Sequence, residues 1–144
     1  MASRASALVS MTGAVGLLSC TMQGAAPHAS AGDEMADRIA VRCAPTTGAA
    51  IQEPERLCAE VLEAMSAARP DLEFVAGGEG RPAAEVRITR GNDRGLGLEV
   101  IWIDASGGRT PGTPLETTFF DRAPDAGQRR TFYAAFLNAN PIPF

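Results

Sequence analysis

Two alternating stretches, Ala84–Arg90 and Leu96–Ile103, flank the turn signal Asn92-Asp93-Arg94-Gly95 and constrain this chain more than any other feature. Successive strand residues point to opposite faces of a sheet. In the first stretch Val86 and Ile88 therefore take one face, and Glu85, Arg87 and Thr89 the other. Strict alternation also sets Arg90 on the face opposite Arg87. In the second stretch Leu96, Leu98, Val100 and Trp102 share one face, while Glu99, Ile101 and Ile103 share the other. The turn joins them into an antiparallel hairpin. Ile101 and Ile103 imply that the second face is also partly covered, by a helix, a loop or a partner.

The rest of the chain reads as elements that complete a sheet around this hairpin. Arg38–Cys43 alternates, with Ile39, Val41 and Cys43 on one face, and forms a first strand. Pro54 suits the first turn of a helix, with Glu53 and Glu55 near its positive end. Leu57, Val61, Leu62 and Met65 recur at helical spacing until Pro70 stops the run. Leu72–Val75 is a short strand, and the glycine-rich segment Gly77–Pro82 connects it to the hairpin. Leu115–Phe120 is strand-like, with prolines confined to its approach. Gln128–Leu137 is a second helix whose apolar stripe is Phe132, Tyr133, Phe136 and Leu137. The expected fold is a single α+β domain in the order β-α-β-β-β-β-α. Its four- to five-stranded sheet is largely antiparallel, and both helices pack on one face.

The amino-terminal region has a different character. Arg4 precedes an apolar run, Ala7–Leu18, followed by small residues, which is the order of an export signal. The run is shorter than the ~20 residues a bilayer span requires. Leu17-Leu18-Ser19-Cys20 resembles a bacterial lipobox, in which Cys20 would be lipidated and become the new amino terminus. Ala29-Ser30-Ala31 offers a second route, simple cleavage before Gly32. Residues 1–31 are thus read as a signal peptide with a short flexible tail, and residues 32–144 as the folded domain. The expected location is the bacterial envelope, periplasmic or lipid-anchored, or outside the cell. In either route Cys20 leaves the folded part, and Cys43 and Cys58 remain as an expected disulfide. A helix returning over the sheet would bring Cys58 to the end of the first strand, where Cys43 lies.

The chemistry open to the domain is narrow. His28, the only histidine, lies within residues 1–31, and the chain has no lysine. Histidine-based triads, histidine metal sites and lysine nucleophiles are therefore excluded from the domain. No metal or other cofactor is expected. Residues 32–144 contain 12 Arg against 17 Asp and Glu, a balance of −5, which argues against a nucleic-acid partner. The Gly77–Pro82 loop lacks the phosphate-binding patterns and precedes a strand instead of a helix. Arg87, Arg90 and Arg94 lie close together, with Glu85 and Glu99 available to neutralise them, and could instead border a groove for a sugar or anionic polymer.

These features favour a non-enzymatic envelope protein that binds a protein or polysaccharide partner and touches the membrane only through a lipid anchor. The candidate partner surface is Ile101, Ile103, Phe119 and Phe120, since adjacent strand residues such as the two phenylalanines face opposite ways. Two alternatives belong to other classes. A small polysaccharide hydrolase would need two of Asp104, Glu116 and Asp121 to converge, ~5–9 Å apart. A carrier of a small apolar or lipid ligand would need a cavity between helices and sheet.

Overall fold

A computed structural model describes residues 38–144. The expected export signal, the candidate lipidation site Cys20, the candidate cleavage site Ala29–Ala31 and the expected start of the domain at residue 32 lie outside the described residues. The elements are β1 (Arg38–Pro45), α1 (Pro54–Ala68), β2 (Glu73–Ala76), β3 (Ala83–Asn92), β4 (Gly95–Ile103), β5 (Arg109–Pro111), β6 (Leu115–Thr118) and α2 (Ala126–Ala139). They make one mixed sheet in the order β2-β1-β3-β4-β5, with β6 continuing along the β5 side of β4. The pairs β3–β4, β4–β5 and β4–β6 are antiparallel, whereas β1 runs parallel to both β2 and β3. The α+β architecture with two helices is as the pattern implies. The short strand β5 is additional, and its Pro111 is accommodated because only an edge strand can lack a ladder donor.

Both helices cover the face of Ile39, Val41, Val86, Ile88, Leu98, Val100 and Trp102, which form one buried core with their apolar sides. α1 begins with Pro54 in its first turn and buries Leu57, Val61 and Met65. α2 starts two residues before the expected Gln128, behind a capping box: the Gln128 amide donates to the Asp125 side chain, and the Asp125 amide to the Gln128 side chain. That Asp-x-x-Gln pattern was a readable start signal. Its stripe of Phe132, Tyr133, Phe136 and Leu137 is buried as its spacing implies. The two helices are joined by Glu60, which accepts from Arg129 at 3.0 Å and from the Tyr133 hydroxyl at 2.8 Å.

Cys43 and Cys58 are bonded, fixing the last residues of β1 to the first turns of α1. β2 pairs only with Arg38–Val41, so this covalent link holds the part of β1 that β2 leaves uncovered. Among the described residues no helix is long and apolar enough to cross a membrane.

Candidate binding face

The face of the sheet turned away from the helices carries the charged residues. Opposite residues in an antiparallel pair share a face, so the register sets Glu85 beside Ile101, Arg87 beside Glu99 and Arg90 beside Gly97. Arg90 therefore lies on the same face as Arg87, contrary to simple alternation. The cause is a bulge: Ile88 pairs with Leu98 and Arg90 with Gly97, which leaves Thr89 as an extra residue. Arg90 then reaches across to Glu116 on β6, at 2.8 Å.

Glu85 is the organising group. It accepts from both Nη atoms of Arg109, at 2.5 and 3.2 Å, and from Arg42 at 3.2 Å. The Arg109 bond, with the charges of Arg109, Arg42 and Arg87 behind it, holds the Glu85 carboxyl below the usual glutamate range, against a smaller opposing effect of burial. Ile101 sits half-buried between Glu85 on β3 and Pro111 on β5. Arg87 and Glu99 face each other in register yet make no ion pair within the described residues, so their polar groups remain available.

One corner of this face is covered by the chain itself. β2 and β3 lie on either side of β1, so the Gly77–Pro82 connection must pass over β1. The Gly77 amide donates to the Val41 carbonyl at 2.7 Å, and the Ala40 amide donates to Pro82 at 3.2 Å. Gly77 and Gly78 have φ of 74° and 91°, a conformation that side chains resist. Under this crossing Ala40, Ala83 and Ile103 form a second small apolar cluster. Ile103 is 4% exposed.

The four expected partner residues are thus dispersed. Ile101 lies half-buried on the open face, and Ile103 is buried in the small cluster with Ala40 and Ala83. Phe119 packs against the main core, while Phe120, just beyond the end of β6, is 91% exposed. Arg90, read beforehand as one border of a polar groove, joins the face through the bulge, and Arg109 and Arg42 join it without having been singled out as its members. Arg42 was legible from β1 alternation, but Arg109 depends on a strand too short to show a period.

Asp104 does not converge with Glu116 or Asp121, the other carboxylates considered for hydrolysis. Glu116 pairs opposite Gly97, and Asp104 lies seven residues further along β4, which at ~3.3 Å per residue places them roughly 20 Å apart. Asp121 lies beyond the Gly95 end, further still from Asp104. The Asp104 carboxylate accepts from the Ser106 hydroxyl at 2.6 Å and the Gly108 amide at 2.8 Å, which hold it below the usual aspartate range. Among the described residues no group of three or more Cys, Asp or Glu is placed to hold a metal ion.

No protein-family model and no curated protein matches the sequence. Among solved structures, the chain resembles the PelC dodecamer from Paraburkholderia phytofirmans in two crystal forms, one of them of a methionine-substituted variant. The likeness has a TM-score of 0.58 in both, at 15% and 13% identity. It covers 73% of this chain and 86% or 87% of the other. At that identity the likeness is one of fold.

Proposed function

We propose that this chain is an exported, non-enzymatic envelope protein that binds an extended, hydroxyl-rich polysaccharide across its helix-free sheet face. The observation that carries the reading is the face itself: an array of Arg42, Glu85, Arg87, Glu99 and Arg109 around the half-buried Ile101. Guanidinium and carboxylate groups both form paired hydrogen bonds with sugar hydroxyls, and Ile101 offers an apolar contact for a sugar ring. The Arg42–Glu85–Arg109 bonds hold those three side chains in place before any ligand arrives, which limits their ordering cost on binding. Export is supported by the Arg4 and Ala7–Leu18 pattern together with the Cys43–Cys58 bond, since thiols of cytosolic proteins are kept reduced. Lipidated Cys20 would tether the domain, or cleavage before Gly32 would release it. The fold likeness to a dodecamer supports a module that works in several copies side by side.

The test uses the full chain with neutral β-glucan oligosaccharides and uronic-acid oligosaccharides as probes. Titration calorimetry compares the parent with Arg87→Ala, Glu99→Ala and a helix-surface control, Glu63→Ala. Weaker binding in the two face variants, with the control and the melting temperatures unchanged, is the expected result. Binding that ignores both face variants, or fails for all probes, removes the polysaccharide reading.

A further inference from the structure

The two edges of the sheet differ in a way that makes one fit the other. At the β6 edge, Phe120 is by far the most exposed large apolar side chain among the described residues, and Asp121 follows it. At the opposite edge, β2 ends level with Val41, so β1 continues without a neighbour on that side. The Ala40 and Thr46 amides donate toward the β3 side. The alternation of a parallel strand therefore turns the Cys43 backbone groups outward. Between this uncovered stretch and α1 runs an open groove of about 830 Å³, walled by Val41, Cys43, Pro45, Cys58, Ala59 and Leu62. Its lining also holds Glu55, the Arg42–Glu85 ion pair, and Arg87, which has no ion-pair partner among the described residues; Asp121 has none either.

We infer that copies of this chain associate head to tail, Phe120 of one copy entering the β1–α1 groove of the next, with Asp121 meeting Arg87. The inference rests on the multi-copy part of the proposed function and names the surface that part leaves open. The knob, the groove, the free strand edge and the two opposite unpaired charges are all supplied by one chain, so a second copy satisfies each of them. A knob and a groove on opposite edges make a heterologous contact, which repeats until a ring closes or a fibre grows. Phe120 would be the aromatic anchor of that contact.

The experiment follows mass by sedimentation velocity over a concentration series, using the exported full chain with Cys20→Ser so that no lipid attaches. Phe120→Asp removes the knob. Ala59→Arg blocks the groove at an exposed helix position that tolerates arginine. Each variant is expected to weaken self-association at least roughly tenfold with an unchanged circular dichroism spectrum. Mixed in equal amounts, the two variants should form a species of twice the monomer mass and no larger one, because one intact knob and one intact groove remain. Mixed variants that stay monomeric overturn the head-to-tail contact, as does Phe120→Asp protein that assembles like the parent. A parent chain that is monomeric throughout overturns both the contact and the multi-copy reading, while leaving the glycan titrations to decide the binding face on their own.

Discussion

Asn140 is the one buried polar side chain among the described residues, at 3% exposure, and its position explains how a broken edge strand is tolerated. β5 and β6 lie in line along β4, interrupted by Gly112, Thr113 and Pro114. At the break the Thr113 amide donates to Asn140 Oδ1 at 2.5 Å, and Asn140 Nδ2 donates to the Thr113 carbonyl and the Phe136 carbonyl, both at 2.9 Å. One amide thereby replaces the missing ladder and ties the strand break to the end of α2. Gly112 is required there, because a side chain would meet Asn140 Oδ1 and Val100 Cγ1. Asn140→Ala leaves both Thr113 backbone groups without these partners, at an expected cost of about 1–3 kcal/mol in urea unfolding. Hydrogen exchange at the Thr113 amide should accelerate well beyond that of the β3–β4 hairpin. Equal acceleration in both places would show that Asn140 stabilises the whole core without specifically closing the break. Nothing in the sequence around Asn140 singles it out, since its partner lies 27 residues away.

At the scale of elements, what could be read in advance was local and what could not was a matter of crossing. The alternation of Leu96–Ile103 is a property of one segment, so both of its faces follow from period two alone. The 3.6-residue stripes of α1 and α2 are legible for the same reason. The parallel placement of β1 between β2 and β3 depends on where the chain crosses, and no short pattern encodes that. The crossing bears on the fate of Ile103, which is buried with Ala40 and Ala83, the residues that the crossing passes over and leads into. The Cys43–Cys58 pair bridges the two levels: two cysteines are visible in the sequence, while their purpose appears only with the sheet. The bond closes a 15-residue separation, for which chain entropy gives roughly 3 kcal/mol. Denaturant unfolding with and without reductant should differ by about that amount, and the Cys43→Ala, Cys58→Ala double variant should match the reduced protein. A difference near zero would mean that the β1–α1 packing holds this end of the sheet unaided.

The molecule as a whole has an unusual set of titrating groups, and the consequence is a flat response to pH. No described residue is a histidine or a lysine, the arginines stay charged, and Cys43 and Cys58 do not titrate as a disulfide. Ionisation in the folded region is left to carboxylates at the acid end and to Tyr133, the only tyrosine, at the alkaline end. Hydrogen bonding lowers the Glu85, Asp104 and Asp125 carboxyls from their ordinary range. The folded state therefore holds fewer protons than the unfolded chain there, and its stability is lost as pH falls below about 4.5. Burial, followed by the hydrogen bond to the Glu60 carboxylate, raises the Tyr133 hydroxyl. Unfolded tyrosine loses its proton near pH 10 while folded Tyr133 keeps it. Stability must then decline above that point, by roughly 1.4 kcal/mol per pH unit from this one group. Between these limits, from about pH 5.5 to 9, the described residues include no free side chain of a type that ordinarily ionises there. Melting temperature measured from pH 3 to 11 should trace a plateau with two falling edges, in the parent and in a His28→Gln variant alike. Tyr133→Phe should push the alkaline edge upward, and tyrosinate absorbance in the parent should rise only as the fold is lost. A slope across the plateau in the His28→Gln variant would mean that a group outside Arg38–Phe144 is coupled to folding, and tyrosinate formation near pH 10 in still-folded protein would show that Tyr133 is not held by Glu60.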